Sequence, residues 1–125
     1  MFLHTAILTD WYLSQARSVL AKGNFITAKS MAEAAIRLDP SFEAYNTLGL
    51  CFSSVDDFKR AIACFDKSIE IKPDQTDAQF YRTAALTMQG MMVRIDELEG
   101  GQVPGVYEIV TDVIYNLLKE DSNNV

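Results

Sequence analysis

The chain has 125 residues and a mass of 14.0 kDa, enough for one domain or one short array of repeats. Its composition is globular, with 49% hydrophobic and 22% charged residues. The formal net charge is −6, and an acidic chain binds phosphate backbones and anionic lipid poorly, so neither nucleic acid nor a membrane is an expected partner.

Glycines and prolines divide the chain into segments of about a dozen residues whose apolar positions recur with the helical period near 3.6. Alternation typical of strands is scarcely visible, so the sequence predicts an all-α fold. The first helix is expected to run from about Thr9, or from Thr5, to Lys22. Gly23 follows it and can adopt the left-handed conformation that often ends a helix.

Three further helices are predicted from residues that cap helix starts and from prolines that end helices. In chain order the caps are Asn24, Ser41 and either Asp56 or Asp57, and the prolines that end the second and fourth helices are Pro40 and Pro73. The fourth helix carries a wide apolar stripe, which indicates that one face of it is buried.

The C-terminal third of the chain is predicted to hold the remaining helices. Thr76 and Gln79 have the spacing of a capping box for a fifth helix that reaches about Gln89. A shorter helix over Met92–Leu98 and a glycine-rich loop follow. The last helix, Val106–Lys119, has an apolar stripe wide enough that its exposure to water would be unfavourable.

Catalytic and metal-binding patterns are scarce. Cys51 and Cys64 form no Cys-x-x-Cys pair and lie within helical patterns, which indicates two reduced, buried thiols in a cytoplasmic protein. His4 is the sole histidine and has no second histidine with which to ligate a metal. Because no nucleophile is placed next to a base, we expect neither an enzyme nor a bound cofactor.

Residues 42–75 contain aromatic and small residues at fixed spacing. The pattern reads Tyr45-x-x-Leu48-Gly49-x-x-Phe52, then Ala61-x-x-x-Phe65, then Pro73. It resembles the tetratricopeptide repeat, a helix-turn-helix unit of about 34 residues. Glycine and alanine let two helix backbones approach closely, and the large aromatic side chains fill the space between the helices.

The preceding residues give a second, weaker copy when Pro40 is aligned with Pro73. Its packing positions are Tyr12, Ala16, Val19, Ala28, Ala32 and Ala35. This copy departs from the family at Gln15, where leucine is usual, and at Ala32, where an aromatic residue is usual. Trp11 is expected to compensate for the missing aromatic ring.

The resemblance implies an α-solenoid of stacked helix pairs closed by a C-terminal capping helix. A third unit begins with Phe80-Tyr81-x-x-Ala84 and then loses the pattern. Repeat arrays need about three units and a cap for stability. One domain is therefore expected, with repeats over 9–41 and 42–75, a partial repeat over 76–99 and a C-terminal helix over 105–119.

In this family the first helix of each pair lines a concave groove that usually holds a peptide or a helix of another protein. The resemblance implies that the partner-binding residues are Leu13, Arg17, Asn46, Leu50, Tyr81, Arg82 and Met88. Leu50 and Met88 have an alternative interpretation, since apolar residues at helical spacing are more often core residues than ligand contacts.

One branch of the family grips the C-terminal carboxylate of heat-shock chaperones with a clamp of lysine, asparagine and arginine. The corresponding positions here are Leu13, Arg17, Thr47, Ala78 and Arg82. Only Arg82 fits directly, and Arg17 is at most a partial substitute, so we do not expect this chain to bind chaperone tails.

The primary hypothesis is therefore a non-enzymatic protein–protein interaction module whose partner is a peptide or an amphipathic helix. Two alternatives use the same fold. One is a secretion-type or assembly chaperone that shields a hydrophobic helix of its cargo. The other is a scaffold that self-associates, as a homodimer, through the helix over residues 106–119.

Overall fold

The computed structural model describes the backbone of residues 2–99 and 113–118, and the side chains of residues 4–94 and 113–118. Every regular element in these ranges is helical, so the predicted all-α fold is confirmed. The predicted C-terminal helix over 105–119 lies outside the described residues, except for the helical residues 113–118.

Five helices follow one another from the N-terminus. They are α1 (Phe2–Ala21), α2 (Phe25–Leu38), α3 (Phe42–Ser54), α4 (Phe58–Ile71) and α5 (Thr76–Glu99). The predicted caps Asn24, Ser41 and Asp57 are confirmed, since each side-chain oxygen accepts a hydrogen bond from the amide three residues later. The first helix begins at Phe2 and not at Thr5 or Thr9, because no glycine or proline interrupts the first turns.

The fifth helix differs from its prediction in two ways. It continues through Gly90, so the expected separate helix over Met92–Leu98 is wrong. A single glycine costs a helix interior only about 1 kcal/mol relative to alanine, which does not by itself end the helix. The capping box is also wrong, because the Gln79 amide donates to the carbonyl of Pro73 at 2.9 Å and Thr76 is already inside the helix.

Consecutive helices pack against their neighbours, as in a tetratricopeptide-like α-solenoid. α1 packs on α2 and α3 packs on α4, while α3 also contacts α2 and α1. Backbone contacts group the chain into two units, Met1–Ala85 and Leu86–Val125. The first unit holds α1 to α4 and the beginning of α5, and the expected arrangement of all repeats in one domain stays a prediction.

The α1–α2 and α3–α4 turns have the same backbone conformation. Gly23 has a φ of 82° and Asp56, 33 residues later, has a φ of 62°. In each turn the next amide donates to the carbonyl five residues before it, at 3.0 Å in both cases. This is the Schellman motif, in which a left-handed residue ends a helix. The two helix pairs are therefore repeated units in their hydrogen bonding as well as in their sequence.

Helices α3 and α4 approach each other closely at Gly49. A Cβ atom at this position would lie 2.8 Å from both Cδ1 and Cζ of Phe65. Phe65 is fully buried, and its ring centroid lies 5.7 Å from that of Tyr81. The absence of a side chain at Gly49 therefore makes room for the largest fully buried side chain of the described residues.

In the first helix pair, small residues occupy both of the positions that correspond to Gly49 and Phe65. Ala16 and Ala32 correspond to Gly49 and Phe65, and both alanines are fully buried. Trp11 is half exposed and packs edge-on against Tyr12, with ring centroids 5.1 Å apart. The expectation that Trp11 compensates for the missing aromatic ring stays a prediction.

Both cysteines are buried free thiols, as predicted. Burial raises the pKa of the Cys51 thiol and of the Cys64 thiol to about 11. Because the thiolate is the reactive form, burial disfavours nucleophilic reactivity of these thiols and agrees with packing as their role.

We expect the substitution Gly49→Ala to lower the free energy of unfolding by about 1–3 kcal/mol, because the added methyl group collides with the Phe65 ring. Gly90→Ala is the matched control, since a Cβ there meets nothing within 4 Å. It should raise stability by up to about 1 kcal/mol through helix propensity. Urea unfolding followed by circular dichroism measures both, and equal effects of the two substitutions would contradict the close approach.

Candidate partner-binding groove

Two clefts lie along the first helices of the repeats, within the unit Met1–Ala85. The cleft between α1 and α3 has a volume of about 400 Å³, and the cleft between α3 and α5 has a volume of about 510 Å³. Arg17 and Glu43 line both clefts. The two clefts therefore adjoin, and together they are called the groove below.

Helical spacing explains why α1 and α3 present their groove residues on one face. Residues at i, i+3 and i+7 of an α-helix lie on the same side of it. Asp10, Leu13 and Arg17 have this spacing in α1 and line the α1–α3 cleft. Residues 43, 46 and 50 repeat it in α3 and line the α3–α5 cleft.

The α1–α3 cleft is predominantly acidic. Asp10, Asp39 and Glu43 line it with exposed carboxylates, and among the described residues of its lining Arg17 is the one cation. Leu13 lies at its base with 4% of its surface exposed, and belongs to the core cluster that includes Ala35 and Ala44.

The α3–α5 cleft combines apolar and polar side chains. Leu50 and Tyr81 are half buried and line it from α3 and α5. The ammonium of Lys72 lies 4.7 Å from the centre of the Phe42 ring, at one end of this cleft. The wall thus offers apolar contacts next to a cation held over an aromatic face.

A buried hydrogen-bond network fixes the start of α5 beside α3. The Gln75 amide nitrogen donates at 2.9 Å to the Ser68 carbonyl, to the Ser68 hydroxyl and to the Lys72 carbonyl. The Gln75 amide oxygen accepts from the Asn46 amide nitrogen at 2.8 Å. The Ser68 hydroxyl in turn donates to the Phe42 carbonyl at 3.1 Å. Gln75 therefore joins α3, α4 and the chain that leads into α5.

The structure brings five of the predicted partner-binding residues to the groove. These residues are Leu13, Arg17, Asn46, Leu50 and Tyr81. Their role in partner binding stays a prediction, and Asn46 already uses its amide nitrogen to hold Gln75. Arg17 makes no ion pair with any side chain in the described part of the chain.

The other two predicted residues lie elsewhere. Arg82 forms an ion pair with Asp66 of α4 and lines neither cleft. Met88 belongs to the unit Leu86–Val125, and only 4% of its surface is exposed. Burial agrees with the alternative interpretation of Met88 as a core residue.

The start of α5 differs by one residue from the register that the sequence suggested for the partial third repeat, which stays a prediction. Matching the start of α5 to the start of α3 pairs Ala78 with Ala44, and both side chains are fully buried. The same register puts Asp77 and Tyr81, and not Ala78 and Arg82, on the wall of the groove. The alignment was ambiguous because Phe80 and Tyr81 are adjacent aromatic residues, and either can be aligned with an aromatic position of the repeat pattern.

Sequence reasoning also missed the residues that precede the two helix-ending prolines. Asp39 and Lys72 are equivalent in the two repeats, have extended backbones and line the α1–α3 and α3–α5 clefts respectively. Proline disfavours the helical conformation of the residue before it, so α2 ends before Asp39 and α4 ends before Lys72. The feature of the sequence that could have indicated these two positions is a charged residue directly before the proline in both copies.

We expect Gln75→Ala to lower the free energy of unfolding by about 2 kcal/mol or more, because Asn46 and Ser68 would lose a buried partner. Gln79→Ala is the matched control, since the Gln79 side chain donates an exposed hydrogen bond to the Pro73 carbonyl, and the loss of this bond should cost about 0.5 kcal/mol. Thermal unfolding measures both. Equal losses would show that the network does not hold the start of α5.

The described residues include no group of three or more histidine, cysteine, aspartate or glutamate side chains placed to hold a metal ion. Within the same described ranges, none of the helices has the combination of length and apolar character needed to cross a membrane.

Comparison with known proteins agrees with the helix-turn-helix geometry. Residues 42–75, which carry the Tyr45 to Pro73 pattern and form α3 and α4, match the family model of the tetratricopeptide repeat. Comparison with curated proteins gives no match. The chain is built of repeated helix-turn-helix units, and residues 42–75 are a tetratricopeptide repeat.

Proposed function

We propose that this protein is a non-enzymatic interaction module that binds a peptide or an amphipathic helix of a partner protein in the groove. Tetratricopeptide repeats generally mediate protein–protein interaction and are typically not catalytic. The observation that carries the proposal is the continuity of the two clefts along α1, α3 and α5.

The chemistry of the groove suits a polypeptide. Leu50 and Tyr81 offer apolar contact in the α3–α5 cleft, and an amphipathic helix presents apolar side chains at matching intervals. Arg17 lies where the clefts adjoin and has five donors that can reach carbonyl or carboxylate oxygens. These groups would give a partner both affinity and orientation.

The groove is preferred to self-association because residues of α1, α3 and α5 form its two adjoining clefts. Self-association through the helix over 106–119 depends on a segment of which only residues 113–118 are described. A cargo chaperone would use the same groove, and it differs from a general interaction module in the fate of the partner and not in the contacts.

We expect Leu50→Glu to abolish partner capture, because it places a carboxylate among the apolar contacts of the α3–α5 cleft. The matched control is Ile26→Glu on α2, where the side chain is 76% exposed and lines neither cleft. The immobilised wild-type chain and both variants would be incubated with native lysate. Retained proteins would then be quantified by mass spectrometry.

The expected result is a protein retained by the wild type and by Ile26→Glu and lost from Leu50→Glu, with circular dichroism unchanged in all three. Equal retention by the three chains would place partner binding outside the groove. Retention of nothing by the wild type would also count against the proposal.

A further inference from the structure

We propose that the partner segment is cationic. It would place lysine or arginine side chains in the α1–α3 cleft and apolar side chains against Leu50 and Tyr81. This inference rests on the proposed function, because it names the chemistry of the partner in the same groove.

The first step is the charge of the groove. The described residues of its wall include four carboxylates and two cations. The carboxylates are Asp10, Asp39, Glu43 and Asp77, and the cations are Arg17 and Lys72. Three of the carboxylates lie in the α1–α3 cleft against a single arginine, so the excess negative charge is concentrated at that end.

The second step is that these charges take part in no ion pair among the residues that the structure describes. The ion pairs of the described residues are Arg60 with Asp57, Lys67 with Glu70 and Arg82 with Asp66. None of these pairs involves a charge of the groove wall. The carboxylates of the α1–α3 cleft are exposed and therefore accessible to solvent.

The third step is the cost of covering the groove. A partner that fills the cleft removes water from the carboxylates, and a buried charge without a counter-charge is strongly unfavourable. A wholly apolar segment would leave three carboxylates unpaired, and an acidic segment would add repulsion. Lysine and arginine side chains replace the lost water with charge-assisted hydrogen bonds.

The other end of the groove sets the amphipathic character of the segment. Leu50 and Tyr81 line the α3–α5 cleft, whereas the α1–α3 cleft presents mainly charge. A segment that spans both clefts therefore needs basic residues toward α1 and apolar residues toward α5. Its binding should weaken with added salt, since the carboxylates are solvent-accessible before the partner arrives.

The test uses three fluorescent peptides of about 18 residues, long enough to form a helix. The first is an amphipathic helix of leucine, alanine and lysine. The second has glutamine and the third has glutamate in place of every lysine. Fluorescence anisotropy with the full chain gives each dissociation constant. We expect the lysine peptide to bind at least about 10-fold more tightly than the glutamine peptide, and the glutamate peptide to bind most weakly.

A pair of double variants separates the groove from the overall charge of the protein. Asp39→Asn with Glu43→Gln removes two carboxylates of the α1–α3 cleft and should reduce the preference for lysine several-fold. The control is Asp74→Asn with Glu70→Gln, which removes one aspartate and one glutamate that line neither cleft. It should leave the preference unchanged.

Three outcomes would overturn the inference. The wild type could bind the lysine and glutamine peptides with equal affinity, and Leu50→Glu could lose binding of both. This result would agree with the proposed groove function and exclude a cationic partner. Equal effects of the two double variants would show attraction to net charge and not to the groove. If the lysine peptide shows no saturable binding, the inference of a cationic partner is also rejected. The capture experiment with native lysate then tests the proposed function separately.

Discussion

The groove depends on one close contact between two helices. Gly49 leaves the space into which the ring of Phe65 fits, and that ring packs against Tyr81 at the start of α5. The packing of α3 on α4 therefore also sets where Tyr81 lies on the groove wall. In the first helix pair, the fully buried Ala16 and Ala32 occupy the same two positions, so a glycine is needed only where the facing residue is large.

Polar interactions also hold the start of α5 in place. Gln75 hydrogen-bonds to α3 through Asn46 and to α4 through Ser68, and so holds the chain from which α5 starts. The residues before the two prolines then face the groove with opposite charges, Asp39 in one cleft and Lys72 in the other. Equivalent backbone positions thus carry different chemistry, which is how a repeat can keep its fold while its binding surface changes.

The sequence predicted the fold better than the site. Caps, prolines and the Gly49–Phe65 pattern act within one repeat, and local rules describe them well. The register at the start of α5 was missed because Phe80 and Tyr81 are both aromatic, and the contacts that set the register, between Tyr81 and Phe65 and along the α3–α5 cleft, come from the tertiary structure. Gln75 was missed because its hydrogen bond with Asn46 joins residues that are 29 positions apart in the sequence, and no local pattern indicates such a contact.

The most direct test of this account is a double-mutant cycle between Gly49 and Phe65, using Gly49→Ala and Phe65→Leu with urea unfolding. If the ring needs the space at Gly49, the alanine should cost much less in the Phe65→Leu background than in the wild type, with a coupling energy of about 1 kcal/mol or more. Additive effects, within about 0.5 kcal/mol, would contradict the close contact on which the position of Tyr81 and the groove depend.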